Sequence, residues 1–118
     1  MSDYHRFRQR FVEELDQRYF PIKWLDWAIN TQLVTGFYGR DSALLTEMKR
    51  YPGGAWVAGV FHATGSKDEI MNDLRPQAEA WAKQNGAIEI VVEGRRGWLR
   101  ELSKHGYRHE KTAVAKGL

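Results

Sequence analysis

The 118-residue sequence predicts an α+β fold, a small mixed sheet with helices on both faces, on three observations. Apolar residues recur at helical spacing in several separate stretches. Two strand-like runs flank Pro52, Gly53 and Gly54. A further helical stretch passes through Gly86 into the alternating run AIEIVV at residues 87–92. A strand, a helix and a second strand in that order make a parallel pair, because neighbouring parallel strands need a crossover. The hairpin adds antiparallel neighbours, so the sheet is mixed.

Taken in order, residues 3–19 place Phe7, Phe11, Val12 and Leu15 on one side at helical spacing, and Pro21 closes this amphipathic helix. Its Arg6, Arg8, Arg10 and Arg18 are expected to solvate the outer face. Residues 23–34 repeat the pattern through Trp24, Trp27, Ile29 and Leu33, with Gly36 and Gly39 suited to the cap and turn that follow. Residues 42–51 and 55–63 read as an antiparallel hairpin. Residues 67–85 carry Ile70, Leu74, Ala78, Trp81 and Ala82 on one helical face, with Pro76 expected to break or restart the helix. In the next strand Ile88, Ile90 and Val92 share a face, and Gly94 leads into a short helix. Arg95 and Arg96 stand at the strand's carboxyl end, where open α/β sheets usually bind ligands. Residues 107–116 read as a closing strand, giving the order ααββαβαβ.

Composition bounds the rest. One core in one domain, residues 1–118, is what this length supports. Five Trp, five Tyr and five Phe make much of that core aromatic. The 18 Lys and Arg against 15 Asp and Glu give +3, which is weak support for a nucleic-acid partner. With no cysteine there is no disulfide or thiolate chemistry, which fits a reducing compartment. No run reaches the about 20 apolar residues that cross a bilayer, so no membrane partner is expected. His5, His62, His105 and His109 show no metal-ligand spacing, and no metal is expected.

This order, and in particular AEAWAKQNGAIEIVVEGRRGWLRELSKHGYRHE, resembles the second half of the GNAT acetyltransferase superfamily: strand, cofactor-holding helix, strand, short helix and a Gly-aromatic step matched by Gly106 and Tyr107. The combination of SALLTEMKRYP, EAWAKQNG, GRRGW and HGY is similar to small GNAT-like proteins of tailed-bacteriophage genomes, over roughly residues 27–118. The superfamily resemblance implies acetyl-CoA held by its pyrophosphate on a Gly-rich loop opening the central helix. Here the matching stretch, GSKDEIMNDL at residues 65–74, has no glycine after Gly65 and carries Asp68, Glu69 and Asp73. Carboxylates there stabilise the helix start but stand where an anionic ligand would sit. The tyrosine that protonates the departing thiolate in many members, four residues before the Gly-aromatic step, is replaced by Leu102.

For catalysis the candidates are therefore few: Glu47, readable as a core-edge carboxylate paired with Arg95 or Arg96, and the Tyr107 hydroxyl, at the place of the family's buried aromatic. His62, Glu89 and Glu93 also lie on predicted strands, and spacing singles out none as a base. Around the last helix Arg95, Arg96, Arg100, Lys104 and Arg108 cluster, with Arg96, Arg100 and Lys104 on one helical face: a solvated face paired with Glu93 and Glu101, a protein interaction surface that includes Trp98, or a phosphate contact, with Trp98 itself expected to fill the core. The expectation is a reduced GNAT-like fold without an intact acetyl-CoA site and without a cofactor. It acts as a virion-associated or head/tail assembly protein in the host cytoplasm and virion. Its partners are other phage structural proteins or copies of itself, ahead of nucleic acid. The alternative is an N-acetyltransferase that uses acetyl-CoA through an atypical pyrophosphate loop.

Overall fold

The computed structural model describes residues 2–94, 96–110 and 113–118. Helices α1 (Ser2–Glu14) and α2 (Ile22–Asn30) precede strands β1 (Val34–Tyr38), β2 (Ala43–Arg50) and β3 (Trp56–Thr64). Then come α3 (Lys67–Glu69), a π-helical turn (Ile70–Leu74), α4 (Arg75–Gln84), β4 (Ala87–Val92) and α5 (Arg96–Ser103). The sheet runs β1-β2-β3-β4, with β1 and β3 antiparallel to β2 and β4 parallel to β3. The predicted hairpin and crossover thus both form.

Two clusters cover the two faces. Tyr4, Phe7 and Phe11 of α1, with Leu25 and Ala28 of α2, bury against Val34, Ala43 and Leu45. On the opposite face Ile70, Leu74 and Ala78 pack on Leu44 and Val60, joined by the partly buried Ile90, Val92 and Trp98. Even and odd residues of β2 therefore serve different layers, as pleating requires.

Three expectations need correcting and one holds. The first helix stops at Glu14 rather than residue 19, because Asp16 offers a competing local structure: its carboxylate accepts the Arg18 N–H at 2.9 Å and its carbonyl accepts from Tyr19 and Phe20. The second helix ends at Asn30, and Gln32 takes a positive φ of 62° that sequence patterns assign to glycine; the chain then turns into β1, with Gly36 inside a strand rather than a cap. The helix restarts at the proline, as expected: α4 begins at Arg75 with Pro76 in its first turn. Proline has no N–H, so the ladder widens: the Arg75 N–H reaches Ile70 O, and the Arg75 side chain donates Nε–H to Met71 O at 2.9 Å, the carbonyl that residue 76 would otherwise serve. Finally, residues 107–110 and 113–118 form no strand, and Lys111 and Thr112 lie outside the described residues.

The helical arginines are not merely solvated. Arg8 grips Asp26 of α2 through two hydrogen bonds, at 2.9 and 2.8 Å, and Arg18 pairs with Asp16. Arg6 donates to the carbonyls of Gly39 and Arg40, and Arg10 to Asp41. From the other side of the sheet Glu69 accepts the Arg40 and Asp41 N–H groups, at 2.8 and 2.9 Å. The β1–β2 loop is thus held by its carbonyls from α1 and by its amides from α3. Glycine is required at the closest approaches: a Cβ at Gly39 would lie 2.5 Å from the Glu69 carboxyl carbon, and one at Gly65, where φ is 106°, would lie 2.0 Å from Asp41 O.

The Ser42 hydroxyl, with the Asp41 and Arg40 amides, holds the Glu69 carboxyl below its ordinary value, although Ser42 Oγ itself bonds the Ser66 N–H at 2.9 Å. A carboxyl depressed on folding stabilises the native state above its ordinary value and loses that contribution as pH falls through the folded one. Urea titrations of Glu69→Gln should show lower stability at neutral pH and a shallower loss on acidification below about pH 4.5 than the parent. Phe11, 0% exposed, should cost about 3–5 kcal/mol as Phe11→Ala in the same assay.

Candidate active site

One extra residue shapes the site. The β2–β3 register shifts between Leu45 and Thr46, which face His62 and Val60, so Phe61 is the bulged residue. Alternation fails there, and Phe61 and His62 both turn toward the α1–α2 layer: Phe61 stacks on Phe20 at 5.3 Å between centroids, and His62 meets Phe11 edge-on at 5.8 Å. On the other side of β3, parallel pairing with β4 ends at Val60 and Val92, closed by the Glu93 N–H bond to Val60 O at 3.1 Å. Beyond that point β3 runs on to Thr64 with β2 as its paired neighbour, and β4 diverges.

The gap is a cleft of about 620 Å³. Leu44, Val60, Ala63 and Ala78 line an apolar side, with Ile90, Trp98 and Leu102 closing it from β4 and α5. Small side chains at 63 and 78 leave the room. Toward the α1 layer the lining turns polar, with Glu14, His62 and Thr64. The cleft therefore passes between the strands and touches both layers.

Within it Glu14 is fixed at both oxygens: His62 Nε2 lies 2.8 Å from Oε1, and the Thr64 hydroxyl donates to Oε2 at 2.9 Å. The imidazole is only 15% exposed. A carboxylate bonded to one ring nitrogen sets the tautomer, the arrangement of a general base that accepts at its other nitrogen. Sequence reading left His62 undistinguished and did not consider Glu14. Nothing in the sequence joins residues 48 positions apart; the bulge and the last turn of α1 do.

At the opposite wall Tyr107 reaches the cleft from beyond α5, its N–H bonded to Leu102 O at 3.2 Å. Its hydroxyl donates to Glu79 Oε2 at 2.7 Å, and Arg75 Nη1 donates to the same oxygen at 2.7 Å. Burial first, and then the Glu79 carboxylate, push the phenol's pKa well above its ordinary value. Such a group keeps its proton and acts as a fixed wall.

At the helix opening, Ser66 caps α3 by accepting the Glu69 N–H at 3.3 Å, and the Glu69 carboxylate is drawn back to the β1–β2 loop. The crowding expected from three carboxylates is thus reduced to Asp68 and Asp73, both exposed. Lys67 of the same turn approaches Glu101 of α5 at 3.5 Å.

The other expected site residues scatter. Glu47 is exposed on β2 opposite Gly59 and does not line the cleft. Arg95 and the Arg96 side chain lie outside the described residues, so an ion pair from Glu47 to either lies there too. Trp98 is half-buried in the core beside the cleft, as its place among Leu99 and Leu102 leads one to expect, and is not part of an exposed interaction surface. Arg100 is exposed; Lys104 sits 3.5 Å from Glu101, and Arg108 pairs with Glu110 at 3.1 Å.

The sequence matches no protein-family model and no curated protein. Its structure is similar to several solved ones. An acetyltransferase of Trypanosoma brucei superposes with a TM-score of 0.72 at 10% identity, over 99% of this chain and 94% of that one. A predicted acetyltransferase of Clostridium acetobutylicum, crystallised with acetyl-CoA, gives 0.71 at 8% identity over 93% and 84%. Ribosomal-protein-alanine N-acetyltransferase of Brucella melitensis gives 0.68 at 12% identity over 99% and 94%. At such identities the likeness speaks for fold alone, and that fold is the mixed α+β architecture of the GNAT acetyltransferases.

Proposed function

We propose that the protein is an N-acyltransferase that moves an acetyl or similar acyl group from a coenzyme A thioester to an amine. The observation that carries this reading is the cleft between diverging strands, apolar on one side and edged on the other by the Glu14–His62 pair. The acetyltransferase neighbours support it over the virion-assembly reading, which none of these neighbours supports. In this mechanism the apolar walls take the thioester's methylene-rich arm, and the amine enters from the α1 side. His62 removes a proton from the attacking ammonium, with Glu14 stabilising the imidazolium. The amine nitrogen bonds to the carbonyl carbon, the C–S bond breaks with its electron pair leaving on sulfur, and the nitrogen sheds its second proton to water.

The thiolate then takes its proton from water. Tyr107, the other candidate for that step, has its hydroxyl proton committed to Glu79 Oε2 at 2.7 Å. Its hydroxyl, with Arg75 and Glu79, fixes the wall instead. At the helix start Asp68 remains as an opposing charge for a diphosphate, so affinity for the thioester is expected to be weak.

Thermal unfolding with acetyl-CoA at millimolar concentration should raise Tm by mass action; an unchanged Tm there would sink the reading. With an amine acceptor found by thiol release, His62→Ala should lower kcat/KM about 10²- to 10⁴-fold, whereas Tyr107→Phe should change it little. Full activity in His62→Ala would remove the base from the mechanism.

A further inference from the structure

We propose that Thr64 is the positioning residue of the site: its hydroxyl turns the Glu14 carboxylate so that His62 keeps its proton on Nε2 and takes the substrate's proton at Nδ1. The part this plays in a reaction rests on the acyltransferase reading; the placement of the proton does not. The bulge at Phe61 sets Thr64 as well as His62. Past it the pairing with β2 runs regularly, His62, Ala63 and Thr64 facing Leu45, Leu44 and Ala43. Leu45 and Ala43 belong to the α1–α2 layer and Leu44 to the opposite one. His62 and Thr64 therefore share the α1 side, two positions apart, while Ala63 turns away. Glu14, the last residue of α1, bonds both.

Of the three, Thr64 is the firm one. It is 7% exposed, against 40% for the Glu14 side chain. The residues after it hold its backbone: a Cβ on Gly65 would come within 2.6 Å of Ser42 Cα, and the Ser66 N–H donates to Ser42 Oγ at 2.9 Å. A β-branched side chain there has little freedom at χ1, so its hydroxyl stays in place. Glu14 is the opposite case, a long side chain at a helix end whose terminal torsion is soft. Its carboxylate keeps one orientation only if both oxygens are engaged. Thr64 takes Oε2, and that leaves Oε1 for His62. Arg10, one turn earlier on α1, is given to Asp41 instead.

A neutral imidazole has one donor nitrogen and one acceptor. An ionised carboxylate only accepts, so the nitrogen facing Glu14 carries the proton and the lone pair lies on Nδ1. Nδ1 has no hydrogen-bond partner among the described residues, and none of their buried side-chain nitrogens or oxygens lacks one, so Nδ1 is open to solvent. With Oε2 released, the carboxylate would turn to water and the ring would populate both tautomers. The one protonated on Nδ1 accepts nothing there.

Imidazole ¹⁵N chemical shifts of the full chain, labelled at histidine and recorded where the ring is neutral, test this without any substrate. The parent should show His62 in one tautomer, protonated on Nε2. Thr64→Val keeps the shape and loses the hydroxyl; it should show both tautomers, and Thr64→Ser should restore the parent spectrum. With an amine acceptor found by thiol release, Thr64→Val should lower kcat about tenfold and leave the amine KM within about twofold, with recovery in Thr64→Ser. A Thr64→Val chain that keeps the single Nε2–H tautomer would overturn the proposal. So would a parent ring protonated on Nδ1, an unchanged kcat in Thr64→Val, or no recovery in Thr64→Ser. Absence of turnover in the parent would sink the acyltransferase reading instead, and the spectra would still decide where Thr64 puts the proton.

Discussion

A single surplus residue in β3 governs the functional half of the molecule. With Phe61 bulged out of register against β2, two consecutive side chains turn to the same layer, and the strand leaves its parallel partner after Val60. Both consequences are needed for a site. The divergence makes a cleft that regular pairing would close, and the broken alternation brings His62 to Glu14 instead of to the opposite layer. The unpaired backbone this leaves is tolerable because it lines a cavity rather than a packed core.

Such a departure from regularity needs firm surroundings. The β1–β2 loop beside the start of α3 is clamped through its carbonyls by Arg6 and Arg10 and through its amides by Glu69. Across the cleft Arg75 does two jobs at once, supplying the donor that Pro76 lacks and holding the Glu79 oxygen that also receives Tyr107. In both places a charged side chain stands in for regular backbone pairing. Two runs that look like surface charge, the α1 arginines and the acidic start of α3, are thereby part of the frame.

Legibility in the sequence followed the range of the interactions. The hairpin was readable because Pro52, Gly53 and Gly54 demand a turn locally, and β4 because AIEIVV alternates to its end. The parallel pair was readable because strand, helix and strand leave few ways to connect. β1 was missed because Gln32, not a glycine, makes the left-handed turn before it, while Gly36 sits inside it. The end of α1 was misplaced because the apolar spacing ran on past Asp16, whose carboxylate and carbonyl close a turn of their own. The π-helical turn was half visible: Pro76 announced a disturbance, but the Arg75 guanidinium decided that the helix would widen rather than stop.

By itself the sequence determined the layers and the chemistry available to them: periodicity fixes which faces must be buried, and composition fixes that no cysteine side chain of this sequence takes part. Tertiary structure alone decided which polar groups meet. Glu14 and His62 are joined by an extra residue in one strand and by the place where a helix stops. Glu69 is drawn off the helix opening by two amides of a loop near residue 40. Such contacts depend on ångström-scale register between distant segments, and side-chain periodicity carries no information about that register.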